Sequence, residues 1–162
     1  MKLIRSDRGQ FVFHVGNREK ILLFEILKLY PLVPASHQRL SKTAQEPAQD
    51  ENQRLLEEAL AEQRRENRKH VLAMLAEPRR FRKTETGFEL ALSPPQAKWL
   101  LQVLNDVRVG CWLALGAPED LDLPRLDETN AGFVVAMEAA GFFESAIVDA
   151  FSGKSPVRRG EG

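Results

Sequence analysis

Apolar residues alternate near the start of the chain and then switch to helical spacing. Phe11, Phe13 and Val15 interleave with Val12 and His14, the period of two expected of a strand with one buried face. Ser6-Asp7-Arg8-Gly9 supplies a turn before them, so Lys2 to Val15 reads as a β-hairpin. Gly16-Asn17-Arg18-Glu19 then opens a helix in which Ile21, Leu22, Leu23, Phe24, Ile26, Leu27 and Leu29 leave no wide polar face. Such a helix is expected to be buried. Pro31 ends it, because the residue before a proline resists helical angles.

Pro34 to Asn52 is polar and proline-bearing and reads as a mobile linker. A second helix is expected from Glu51 to Ala76. Leu55, Leu56, Ala59 and Leu60 open its apolar stripe, and Val71, Leu72, Met74 and Leu75 close it. Between them, Glu62 to His70 offers almost nothing to bury, which predicts a solvated or ligand-binding middle. Pro78 breaks the helix, and Arg79 to Leu92 forms a second hairpin turning at Thr84-Glu85-Thr86-Gly87. Ser93-Pro94-Pro95-Gln96 combines a serine cap, an early proline and a glutamine three positions on, the signature of a capping box. The helix it starts is apolar over most of its circumference and runs to Leu115, where Gly116 allows a left-handed stop. After the loop from Ala117 to Leu126, a last helix is expected with Asp127 as its cap. Phe133, Val134, Met137, Ala140, Ile147, Val148 and Phe151 form its core face, and Gly132 and Gly141 are placed for close packing.

The two hairpin-to-helix junctions resemble each other. A shift that brings Phe11 onto Phe88 also brings Phe13 onto Leu90, Val15 onto Leu92 and Glu19 onto Gln96. The reading is a mostly helical α+β fold in two hairpin-helix-helix halves with internal pseudo-symmetry. It has about four main helices and two β-hairpins. Residues 1–152 form one domain with the linker 34–52 inside it, and 153–162 a flexible basic tail.

Composition bounds the function more than it names it. At 162 residues and 43% hydrophobic content, the chain is long enough to bury a core without disulfides or metal. Its 23 basic and 23 acidic residues balance, which argues against a surface built wholly for nucleic acid or membrane. The single cysteine, Cys111, excludes an intramolecular disulfide and a cysteine metal cage. The charged start lacks a signal-peptide profile, and no run is expected to span a bilayer. A cytoplasmic protein without cofactor or metal is the expectation, and the numbers leave a homodimer open.

Candidate chemistry is sparse. Asn105, Asp106 and Arg108 interrupt the most apolar helix, and residues two apart on a helix face different ways. Each charge therefore needs a partner beyond the triplet: Gln102, one turn earlier on the same helix, is a local candidate for Asp106, and Glu138, Glu144 or Asp149 could reach Arg108 from the last helix. The triplet is a ligand-or-partner candidate or a polar cluster fixing helix register. A basic run, Arg64, Arg65, Arg68, Lys69, Arg79, Arg80, Arg82 and Lys83, follows an acidic stretch and would suit phosphates, unless intrahelical pairs such as Glu62–Arg65 and Glu66–Lys69 neutralise it. The three histidines and Cys111 form no evident ligand set, and no phosphate loop or nucleophile elbow is present.

Leu92-Ser93-Pro94-Pro95-Gln96, Trp99-Leu100-Leu101, Leu104-Asn105-Asp106-Val107-Arg108 and Leu115-Gly116 together resemble the second half of a bacterial family of unknown function, domain family 2017. The resemblance is sharp over residues 90–116. It implies no established enzymatic activity; family members tend to be encoded near the adaptor of a Clp protease. That resemblance implies a small intracellular accessory or regulatory protein, and the leading expectation is that it acts without catalysis through a protein partner. The competing expectation is a nucleic-acid-binding regulator using the basic run.

Overall fold

The computed structural model describes residues 1–7, 9–33, 47–119 and 126–153. Most of the expected linker, part of the loop after Gly116, the terminal tail and His37 lie outside the described residues. The strands are β1 (Lys2–Asp7), β2 (Gln10–Val15), β3 (Phe81–Thr84) and β4 (Gly87–Leu92). They form one antiparallel sheet in the order β1-β2-β4-β3, so the two hairpins join through β2 and β4. Phe11, Phe13 and Val15 pair with Leu92, Leu90 and Phe88. That register obeys a two-fold axis between Phe13 and Leu90: each pair maps onto another when Phe11 is carried onto Phe88. The pseudo-symmetry read from the sequence is therefore built into the strand pairing.

The helices are α1 (Asn17–Leu27), α2 (Pro47–Ala76), α3 (Pro94–Ala114) and α4 (Ala131–Phe151). α3 starts with a full capping box and α1 with only half of one, because Gly16 has no side chain to accept from the Glu19 N–H. The Glu19 carboxylate accepts from the Gly16 N–H at 2.7 Å, and the Gln96 side-chain oxygen from the Ser93 N–H at 2.9 Å. Buried Phe13, Val15, Leu90 and Leu92 line the sheet face beneath the helices. The opposite face carries an ion-paired row in which Glu89 accepts from Arg82 at 2.5 Å and Arg5 at 3.5 Å. α3 is the hub, touching β2, β4 and every other helix. Gly116 has a φ of +90° just beyond its end, as the sequence predicts.

Several expectations need correction. α2 begins at Pro47, so residues 47–52 are helix rather than linker. Its 30 residues extend roughly 45 Å, and only its C-terminal part, with Val71, Met74 and Leu75, enters the core. Asn130, not Asp127, is the N-cap position of α4; Asp127 organises the preceding turn by accepting from the Thr129 and Asn130 N–H groups. A side chain at Gly132 would meet open space, and at Gly141 only ordinary contact with Arg108. Among the helical glycines the close approach is at Gly110, where an added Cβ would lie 2.6 Å from Leu32. α4 is also apolar and long enough to cross a membrane by composition alone, although here Ala140, Phe143 and Ile147 are fully buried within the fold.

The symmetry breaks after the first turns of the paired helices. α1 stops at Leu27, and Tyr30 to Val33 leaves it as irregular chain lying against α3, with Leu32 over Gly110. α3 continues straight through the equivalent position. α4 packs closely along α3, whereas α2 touches α3 and scarcely touches α1.

Candidate functional site

The polar triplet of α3 divides between two sides of the helix. Asp106 faces the segment that leaves α1: its Oδ1 accepts from the Leu32 N–H at 2.9 Å and the Val33 N–H at 3.2 Å. Its Oδ2 lies 3.4 Å from Arg64 Nε, and both side chains are only 12% exposed. Arg64 also donates to the Val33 carbonyl. One helical turn away, Asn67 hydrogen-bonds the buried Tyr30 hydroxyl, whose pKa burial pushes up. These contacts satisfy backbone groups that would otherwise be orphaned where α1 ends. The chemistry is that of a pin: a shielded ion pair holding three segments together.

The middle of α2 is therefore not wholly solvated. Leu60, Arg64, Asn67, Val71 and Met74 follow alternating steps of four and three and lie on one inward face. Polar residues at two of those positions hid the stripe, and its phase with Leu60 and Val71 was the available signal. The partner of Asp106 is Arg64, a member of the expected basic run that lies inside the fold instead of on its surface.

Arg108 points the other way. Its Nε donates to Glu144 Oε2 at 2.8 Å, and its Nη2 to Asn105 Oδ1 at 3.3 Å. Arg108 lines a shallow recess of about 220 Å³ with Val109, Trp112 and Met137. Arg108 is 47% exposed and Glu144 13%. Burial raises the Glu144 pKa, and Arg108 pulls it partly back. Arg108→Ala is expected to cost only about 1 kcal/mol, because the arginine is well solvated and Glu144 can take up a proton. A carboxyl raised on folding contributes stability below its unfolded pKa, about 4.3, and loses it as pH rises through the folded value. Removing Arg108 raises that value further. The gap between variant and wild-type urea midpoints is then expected to widen from about pH 4 to 7; a gap independent of pH would contradict the pairing.

The basic run disperses. Arg64 is in the pin, and Arg80 is nearly buried, donating to the Met74 and Ala91 carbonyls and pairing with Glu77. Arg65 pairs with Glu62, Lys69 with Glu66 and Arg82 with Glu89. That leaves Arg68, Arg79 and Lys83 without an acidic partner among the described residues. Three such cations predict a salt slope in log affinity no steeper than about −3 and weak duplex binding lost at physiological salt. Gel shifts across a salt series check this. A neutralised control should change Arg68, Arg79 and Lys83 and spare Arg64.

An apolar groove that the sequence did not reveal lies where α1 meets the sheet. Asn17, Lys20, Ile21, Phe24, Glu25 and Phe88 line about 410 Å³ of open space. Ile21 is 65% exposed. Lys20 Nζ sits 4.7 Å from the Phe81 ring centre and 4.0 Å from that of Phe88, and no carboxylate pairs with it among the described residues. Glu25 is engaged by Lys28 at 2.6 Å. The individual residues read as core; only the meeting of α1 with β4 makes them a surface.

The remaining candidates hold no ligand set. His14 contacts Thr86, and His70 stacks on Trp99 with ring centres 5.4 Å apart. Cys111 is fully buried, which pushes its thiol pKa up and disfavours the thiolate. Among the described residues no three His, Cys, Asp or Glu side chains converge as for a metal ion.

No curated protein and no solved structure matches the chain. A family profile does, over residues 30–151, a span that takes in the Asp106 pin, the second hairpin, α3 and α4 and leaves out the first hairpin and α1. The chain belongs to that family, DUF2017, described as a domain of unknown function.

Proposed function

We propose that this protein is a bacterial, cytoplasmic accessory or regulatory protein that acts by binding a protein partner and performs no catalysis itself. The observation that supports this is the groove beside α1, where Ile21, Phe24 and Phe88 leave apolar surface open next to an ammonium with no carboxylate partner among the described residues. Apolar surface rimmed by charge suits the side chains of another protein. The polar residues from which an active site would be assembled are engaged elsewhere, Asp106 with backbone and Arg64, and Arg108 with Glu144. Affinity capture of the full chain from its own cells, beside an Ile21→Glu variant, tests the reading. A protein retained by the wild type and lost by the variant is expected. Recovery of nucleic acid as the main species, or identical capture by both, would overturn it.

A further inference from the structure

We propose that the α1 groove receives an aromatic-bearing helix of the protein partner, seated on Phe88 as the end of α4 is seated on Phe11 in the other half of the chain. This rests on the partner-binding reading and adds the nature of the occupant. Phe11 and Phe88 hold equivalent places on two-fold-related strands. Over Phe11, the last turn of α4 brings Phe151, its ring centre 5.0 Å away and edge to face. Over Phe88 no such helix lies among the described residues. Its ring is met by Phe81 at 6.1 Å and by the Lys20 ammonium, and the space beyond is the open groove. α2 follows the first hairpin as α4 follows the second, yet it scarcely touches α1. The seat of the first half is filled by a helix of the second; the seat of the second half has no such counterpart from the first among the described residues.

The seat also states what its occupant should carry. Phe24 and Phe88 floor the groove and Ile21 walls it, so the contacting face must be apolar, with an aromatic ring placed as Phe151 is. Lys20 stands over two rings with no carboxylate beside it among the described residues, which complements an acidic side chain within a turn of that aromatic. A cationic helix would be disfavoured there.

The test uses the isotope-labelled full chain and, as probe, a stapled helical peptide copying residues 144–153, the end of α4. Amide shifts are expected to concentrate at Asn17 to Glu25 and at Phe88, and to saturate. A peptide with alanine in place of the residue corresponding to Phe151 should bind about tenfold more weakly. Ile21→Glu should abolish the shifts, with the milder Ile21→Ser as a second variant; Ile21 is mostly exposed, so both should fold. Absence of shifts at millimolar peptide, shifts outside the groove, or equal binding by the alanine peptide would overturn the proposal. Loss of a captured partner in Ile21→Glu alongside a silent peptide would sink the helical occupant and leave partner binding standing.

Discussion

Asp106→Ala is expected to destabilise the fold by about 4 kcal/mol, in the range for breaking a shielded ion pair from one side. The variant strands the Arg64 guanidinium at 12% exposure and removes the acceptor from the Leu32 and Val33 N–H groups. Asp106→Asn keeps an acceptor for those donors and loses only the charge, so about half that cost is expected. Replacing Arg64 and Asp106 together with apolar residues should cost less than the two single losses added, because no charge is then left alone. Urea midpoints of the wild type, the two single variants at Arg64 and Asp106 and the double variant measure the coupling. Strict additivity would mean that the pair is solvated and the pin is not a unit.

Gly110→Val should cost about 3 kcal/mol by overpacking. An added Cβ would sit 2.6 Å from both Leu32 Cβ and Cγ and 3.0 Å from the Leu32 carbonyl carbon, so backbone as well as side chain must move. Gly110→Ala meets the same obstruction but recovers about 1 kcal/mol of helix propensity, and its net loss should be smaller. Leu32→Ala in the Gly110→Val background should restore part of the stability, since it removes one of the colliding groups. Gly132→Ala is the opposite case: with open space around it, it should gain up to about 1 kcal/mol. Thermal melts of this set distinguish close packing from a flexible joint. Equal behaviour at the two glycines would contradict the crossing of Leu32 over α3.

What the sequence showed well was local. Serine, proline and glutamine at the start of α3 specify a capping box from four residues, and the turn glycines and alternating strands need no distant partner. The pseudo-symmetry was legible because strand phase and cap position repeat together, and the β2–β4 register then follows from the axis. Whatever depended on contacts between elements was hidden. Arg64 and Asn67 looked solvated because polarity, not phase, was read, and the chain leaving α1 gives no sign that it will cross Gly110. The separation of Asp106 from Arg108 followed from helical geometry, but which carboxylate or arginine answered each required the packing of α2 and α4. The groove was the least legible: Ile21, Phe24 and Phe88 carry an ordinary core pattern, and their place beside open space depends on how α1 lies against β4.

Placing a photo-reactive phenylalanine analogue at Ile21 or at Lys98 in the living cell tests the central claim most directly. Lys98 occupies the position equivalent to Ile21 in the other half and is likewise exposed, so it controls for chance encounters. The partner-binding account predicts a discrete protein cross-link from position 21 and none from position 98. Equal products at both positions, or none at either, would contradict it.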